Sequence, residues 1–140
     1  MRLQGRIALV TGAASGIGAA IARRLAADGA TVFVHTRRNR AGADAVAQEI
    51  RHQGGRADVL MGDLTDGDRA AHLIQDCFGR YGALDILVLN AGGGKGGLAV
   101  NQSTTDIDSV LALNLRATIL AASEFARLRV KGGLYASVSR

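Results

Sequence analysis

Short, continuous apolar runs alternate with longer amphipathic segments along nearly the whole chain, and this alternation limits the possible folds more than anything else. "RIALVTG" (6–12), "TVFVHT" (31–36), "RADVLMGDL" (56–64), "LDILVLNAG" (84–92) and "GGLYASVS" (132–139) read as strands. Between them, 16–30, 40–55, 65–82 and 103–130 carry apolar residues at helical spacing. The strand runs are apolar throughout rather than every second residue. That pattern belongs to strands buried on both faces, which is the situation of a parallel sheet covered by helices. Glycines at 29 and near 54–55 end the first two helical segments. Thr65 or Asp66 is expected to cap the third helix, and Ser103, Thr104 or Thr105 the fourth. Only "GGGKGG" (92–97) reads as a mobile loop by composition.

The first strand–helix junction reads "VTGAASGIG" (10–18), with glycines at 12, 16 and 18. A helix N-terminus leaves backbone N–H groups unpaired and carries partial positive charge. It therefore suits an anion, provided the backbone can approach closely, and glycine removes the Cβ that would stand in the way. The spacing, G-x-x-x-G-x-G, departs from the G-x-G-x-x-G dinucleotide fingerprint. A tight turn with no ligand is the plain alternative, and the strand before and helix after argue against it.

The formal charge of +5 raises the question of nucleic acid. The arginines are scattered, however, apart from "RRNR" at 37–40, and no aromatic residues accompany that cluster. A phosphorylated small molecule suits it better, and no nucleic-acid partner is expected. A single cysteine, Cys77, excludes an internal disulfide and a cysteine-based metal cage, and no metal site is expected. No unbroken apolar run reaches the ~20 residues of a membrane span. The N-terminus lacks a signal-peptide pattern. A cytoplasmic protein with no membrane partner is the expectation.

Taken together, "TGAASGIG", "GDL" (62–64), "NAG" (90–92) and Asn114 in "LALNLRAT", in this order, resemble the short-chain dehydrogenase/reductase family. The resemblance implies a Rossmann-like, doubly wound parallel α/β sheet with strand order 3-2-1-4-5. Residues 1–140 would form a single NAD(P)-binding domain that stops after strand 5, without the C-terminal catalytic and substrate segment. It also implies hydride transfer between a nicotinamide cofactor and a small-molecule carbonyl or alcohol. Carried over by position, Gly12, Ala13, Ser15, Gly16, Ile17 and Gly18 would line the pyrophosphate turn. Asp63 and Leu64 would sit beside the adenine, although Asp63 could also simply cap the next helix. Asn90, Ala91 and Gly92 would follow the cofactor ribose, and Leu89 stands where most members carry another asparagine.

NAD-preferring members usually end the second strand in an aspartate. This chain has Thr36, Arg37 and Arg38 there. Guanidinium groups pair with a phosphate through a planar fork of donors, so NADP is preferred over NAD. The family's chemistry uses a tyrosine with a lysine four residues on, a serine and an asparagine. Tyr81 is followed by Asp85 at that spacing, and Tyr135 by Ser139, so Tyr-x-x-x-Lys is absent. Asn114 matches the asparagine, with a polar kink residue as the alternative. Ser139 is the candidate serine, ahead of Ser137, and a strict alignment would fall near Arg140. Lys95 lies on the expected substrate side. The chain then reads as a fragment of a longer enzyme, a non-catalytic dinucleotide-binding module, or a half-domain that needs a partner chain. An uncovered apolar edge points to a homo-oligomer, and the resemblance implies that the long 103–130 helix is available for its interface.

Overall fold

A computed structural model describes residues 1–94, 96–131 and 138–139. The elements run β1 (Ile7–Val10), α1 (Gly16–Ala27), β2 (Thr31–Thr36), α2 (Arg40–His52), β3 (Arg56–Met61), α3 (Arg69–Tyr81) and β4 (Ile86–Val88). After a 3-10 turn at Ala99–Asn101 come α4 (Thr104–Leu111), a π-helical turn (Ala112–Arg116) and α5 (Ala117–Lys131). The four strands lie in the order β3-β2-β1-β4, and all their pairings are parallel. The chain thus reverses direction across the sheet between β1 and β4, where the doubly wound topology leaves a crevice at the carboxyl ends of the strands.

Side chains alternate faces along β1 and divide the core into two. Ala8 and Val10 pack with the alanines of α1 (Ala19, Ala22, Ala26) and with Ala43, Val46, Ala47 and Ile50 of α2. Ile7 and Leu9 face the other way, onto Leu73, Ile74 and Cys77 of α3 and Ala117, Ala121 and Phe125 of α5. Alanines dominate the α1/α2 face, with Val46 and Ile50 as its larger members. Burial pushes the Cys77 thiol up to about 12, which leaves it an inert apolar filler.

One boundary differs from the sequence expectation. α3 starts at Arg69, after an Asp68 cap that makes no side-chain bond, rather than at Thr65 or Asp66. Thr65 instead gives both its amide and its hydroxyl to Asp63, and Gly67 at φ +50° turns the chain before the helix can begin. The 103–130 helix is continuous but interrupted by the π-helical turn, and Ser103 caps its start reciprocally with Asp106.

The run Thr104–Arg129 is long and apolar enough to cross a membrane on length and composition, with a mean hydropathy of 1.2 over 18 residues. A search for unbroken apolar runs overlooks it because polar residues punctuate it. In this fold the α5 part of that run packs its inner face onto α3.

Candidate functional site

Where β1 ends, the chain is stitched to the end of β4. The Thr11 hydroxyl accepts from the amides of Asn90 and Ala91, each at 3.0 Å. The Asn90 side-chain amide donates back to the carbonyls of Thr11 and Gly12, each at 3.1 Å. This crossing leaves no room for side chains. A Cβ on Gly12, which has φ +62°, would stand 2.9 Å from the Ala91 Cα, and one on Gly18 would stand 2.3 Å from the Gly12 carbonyl oxygen. These two glycines are required by the chain's own packing before any ligand is considered.

Gly16 is different. Its φ is +56° and nothing lies within 4 Å of where its Cβ would be. It opens α1 behind Ser15, whose side chain caps no amide, and the first turn contains no acidic residue. The first-turn N–H groups have no acceptor within the helix. The resulting donor set, backbone amides at the positive end of a helix in open space, is one that holds an anion. Ile17, at its edge, is exposed. Ala13 is buried, and its amide donates to the His35 carbonyl at 2.8 Å.

The far side of the crevice is built by the ends of β2 and β3. Thr36 is buried and its hydroxyl accepts from the Asn39 amide. Arg37 leaves the sheet and its Nε lies 3.2 Å from an Asp63 carboxylate oxygen. The other Asp63 oxygen accepts from the Thr65 hydroxyl at 2.7 Å and the Thr65 amide at 2.9 Å. The Thr65 hydroxyl holds the Asp63 carboxyl below the usual range; burial, the next effect in size, opposes this, and the Thr65 amide and the charges of Arg37 and Arg38 add to the lowering. Asp63 thus closes its own turn rather than capping α3. Arg38 is exposed, and Leu64 is buried in the core beneath.

A cavity of about 300 Å³ opens between the two sides, lined by Gly12, His35, Thr36, Arg37, Asp63, Leu64, Asn90, Ala91, Gly92 and Leu113. A second, of about 550 Å³, shares Arg37 and Leu113 with it and extends over Thr65, Gly93, Gly94 and α4 residues such as Ser109. Candidate residues from four separate segments therefore meet in one crevice, while Ser15, Gly16, Ile17 and Gly18 stand at the α1 start beside Gly12.

Asn114 sits inside the π-helical turn. Its side-chain amide donates to the carbonyls of Gly93, at 2.6 Å, and Val110, at 2.8 Å, while its oxygen accepts from the Gly93 amide. Its own carbonyl accepts from the Thr118 hydroxyl. The side chain is a clamp between the helix and the glycine loop, and a Cβ on Gly92 would press on it at 2.9 Å. The side chain of Ser139 and the residues Lys95, Tyr135, Ser137 and Arg140 lie outside the described residues.

Two residues that hold the site together escape the sequence reading. Thr11 looks like the end of a strand. His35 is buried, yet its ring joins the two sides of the crevice: Nδ1 accepts from the Gly12 amide at 3.2 Å and Nε2 lies 2.9 Å from the Gly62 carbonyl oxygen. The available signal was a lone ionisable residue in the otherwise apolar and threonine-flanked "TVFVHT".

Comparison with known proteins gives a consistent result. The profile of the short chain dehydrogenase family matches residues 6–136. Elsinochrome reductase 1 of Elsinoe fawcettii is 39% identical over 88% of this chain and 46% of its own length. The crystal structure of a short chain dehydrogenase from Burkholderia cenocepacia J2315 in complex with NADP superimposes with a TM-score of 0.87, at 42% identity over 91% of this chain and 52% of that one. A metagenomic short-chain oxidoreductase in complex with NADP superimposes with a TM-score of 0.92, at 35% identity over 99% of this chain and 62% of that one. The chain spans about half the length of the curated relatives it matches.

Proposed function

The chain belongs to the short-chain dehydrogenase/reductase family, and on that premise we propose that it binds NADP in preference to NAD, as the cofactor-holding part of an oxidoreductase acting on a small carbonyl or alcohol. The observation that carries this reading is the crevice itself, where an open helix start faces an arginine and no carboxylate ends β2. The α1 first turn, with Gly12, Ala13, Ser15, Gly16, Ile17 and Gly18, would take the pyrophosphate. Thr36, Arg37 and Arg38 would take the ribose 2′-phosphate, with Asp63 and Leu64 at the adenine and Asn90, Ala91 and Gly92 along the ribose. The bound nicotinamide supplies the hydride exchanged with substrate carbon.

The residues present fit such a cofactor: free donors for one anionic group, guanidinium groups for another, and a crevice between them. We assign Asn114 to the catalytic side through its hold on the Gly93 turn, and Ser139 to the substrate oxygen. Support for a fifth strand, completing the order 3-2-1-4-5 within one domain, is the parallel register of Val138 and Ser139 with Leu87 and Val88. Without a Tyr-x-x-x-Lys pair, residues 1–140 are expected to bind cofactor and not to turn substrate over. We place the protein in the cytoplasm, as a homo-oligomer with neither nucleic acid nor membrane as partner.

The chain contains no tryptophan, so nicotinamide fluorescence can be followed without an indole background. Titration with NADPH and NADH should show both binding, NADPH more tightly. Binding of neither would overturn the reading. Binding without loss of NADPH absorbance over a panel of ketones is the expected result for this chain alone, and it is equally the behaviour of a dinucleotide-binding module with no reaction of its own. Turnover would refute the incompleteness.

A further inference from the structure

His35, the penultimate residue of β2, is buried and forms part of the crevice lining. Its ring touches both the turn after β1 and the turn after β3. The Gly62 carbonyl can only accept, so Nε2 must carry the proton. The Gly12 amide can only donate, so Nδ1 must be bare. A single neutral tautomer satisfies both bonds, and neither the other tautomer nor the imidazolium does. The His35 carbonyl meanwhile accepts from the Ala13 amide, so two successive amides of the β1 turn are held by one residue.

We propose that His35 is a positioning residue for the dinucleotide: as its Nε2–H tautomer it ties the Gly12 turn to the Gly62–Asp63 turn and so sets the spacing between the pyrophosphate and adenine ends of the site. This rests on the dinucleotide reading above. Protonation at Nδ1 sets an N–H against the Gly12 N–H, and the two turns must part. Burial is the main cause holding the ring's proton affinity below its ordinary value of 6.5. The Gly62 bond opposes this and the charge of Arg69 adds to it, so the ring is neutral at pH 7.

The charged groups around it are Arg69 from α3, which donates to the Met61 carbonyl, Asp63 on the β3 turn, and Arg37 and Arg38 following its own strand. Asp63, the carboxylate in this group, is paired to Arg37, and the charge that acts on the ring is the positive one of Arg69. α1 brings no acidic residue in its first turn.

The test uses NADH, which lacks the 2′-phosphate that itself titrates near pH 6. NADH affinity is measured from pH 7.5 to 5.5 for the full chain and for His35→Asn, alongside ¹⁵N spectra of the His35 ring and the Gly12 amide. The ring should carry its proton on Nε2. The Gly12 amide should titrate with the ring, and affinity should fall about five- to tenfold on that same midpoint, the size of one hydrogen bond. His35→Asn should bind more weakly at pH 7.5 and show a flat profile. Parallel profiles for the two proteins, a ring protonated on Nδ1, or an affinity midpoint unlike that of the ring would overturn the proposal while leaving the dinucleotide reading standing. Absence of NADH and NADPH binding at pH 7.5 would sink both. Should His35→Asn fail to fold, coincidence or divergence of the ring and affinity midpoints in the unaltered chain decides alone.

Discussion

At the β1–α1 turn the inward polar groups find their partners within the chain, through Thr11, Asn90 and His35. Along α4 and α5 the outward face instead carries Ile107, Leu111, Leu115 and Ile119, each about half exposed. The first region is completed by its own neighbours, and the second presents apolar surface that none of the described residues covers. In the turn, then, a change of one methyl group is a change in the fold. On the helix, a change of a whole side chain alters only what can be placed against it.

The largest effect should come from Gly18→Ala. A Cβ there would lie 2.3 Å from the Gly12 carbonyl oxygen and 2.5 Å from the Asn90 side-chain nitrogen, so both turns must shift. Overpacking of this kind costs about 1–3 kcal/mol, visible as a lowered thermal midpoint by circular dichroism. Ile119→Ala on the open helix face should change stability by less than about 0.5 kcal/mol. Equal losses in the two variants would erase the contrast.

Next in size is Arg37→Ala. Charge-assisted bonds are worth about 1.5–3 kcal/mol, so NADPH affinity should fall roughly 10- to 100-fold while NADH affinity changes little. An equal loss for both cofactors would mean that Arg37 acts through its pairing with Asp63 rather than through the 2′-phosphate.

The pH dependence of stability sharpens the comparison further, because two titrating groups sit where β1 meets its neighbours. Burial tends to raise the Asp85 carboxyl, but the Ile7 amide, Arg129 and Arg6 outweigh it and hold it below its ordinary value of 3.8. Its contribution is therefore complete above pH 3.8 and is lost as pH falls through the lower folded-state value. His35 is a depressed base. The unfolded chain takes up its proton first, so stability starts to fall once pH drops below 6.5 and continues to fall toward the folded-state value. Urea midpoints should be level from pH 6.5 up toward the ordinary Cys77 value of 9.0, and decline in two stages below pH 6.5. His35→Asn should remove the upper stage only.

The layered α/β architecture could be read from the sequence because it follows from apolar periodicity, a local property. The glycine turn could be read for the same reason. The purpose of each glycine could not. Gly12 answers to Ala91, and Gly18 to the Gly12 carbonyl and to Asn90, with Ala91 and Asn90 more than seventy residues on, while Gly16 alone of these three faces open space, and only the fold separates these cases. The start of α3 was hidden because Asp63 and Thr65 satisfy each other within the turn, a choice between two local bonds that residue type does not decide. His35 is illegible in the sequence because its ring's partners are two backbone atoms on two different crossovers.

The smallest effect on stability, and the largest on assembly, should come from Leu111→Glu. Leu111, Leu115 and Ile119 line one shallow groove of about 440 Å³ together with Asp108 and Arg116. A strict four-residue spacing drifts around a regular α-helix, whose turn is 3.6 residues. The wider π-helical turn at Ala112–Arg116 falls in the middle of the series and brings the apolar residues back onto one face. That face is where the proposed homo-oligomer would close, since a continuous apolar stripe left in water marks an association surface. A carboxylate at 111 would be buried without a partner in the assembly but solvated in the free chain. Sedimentation should therefore show the unaltered chain as a larger species and Leu111→Glu as a smaller one, with thermal midpoints at low concentration within about 0.5 kcal/mol of each other and NADPH affinity unchanged. A monomeric unaltered chain would leave the stripe without a role in self-association. A Leu111→Glu variant that melts as early as Gly18→Ala would show that this face, too, is completed from within.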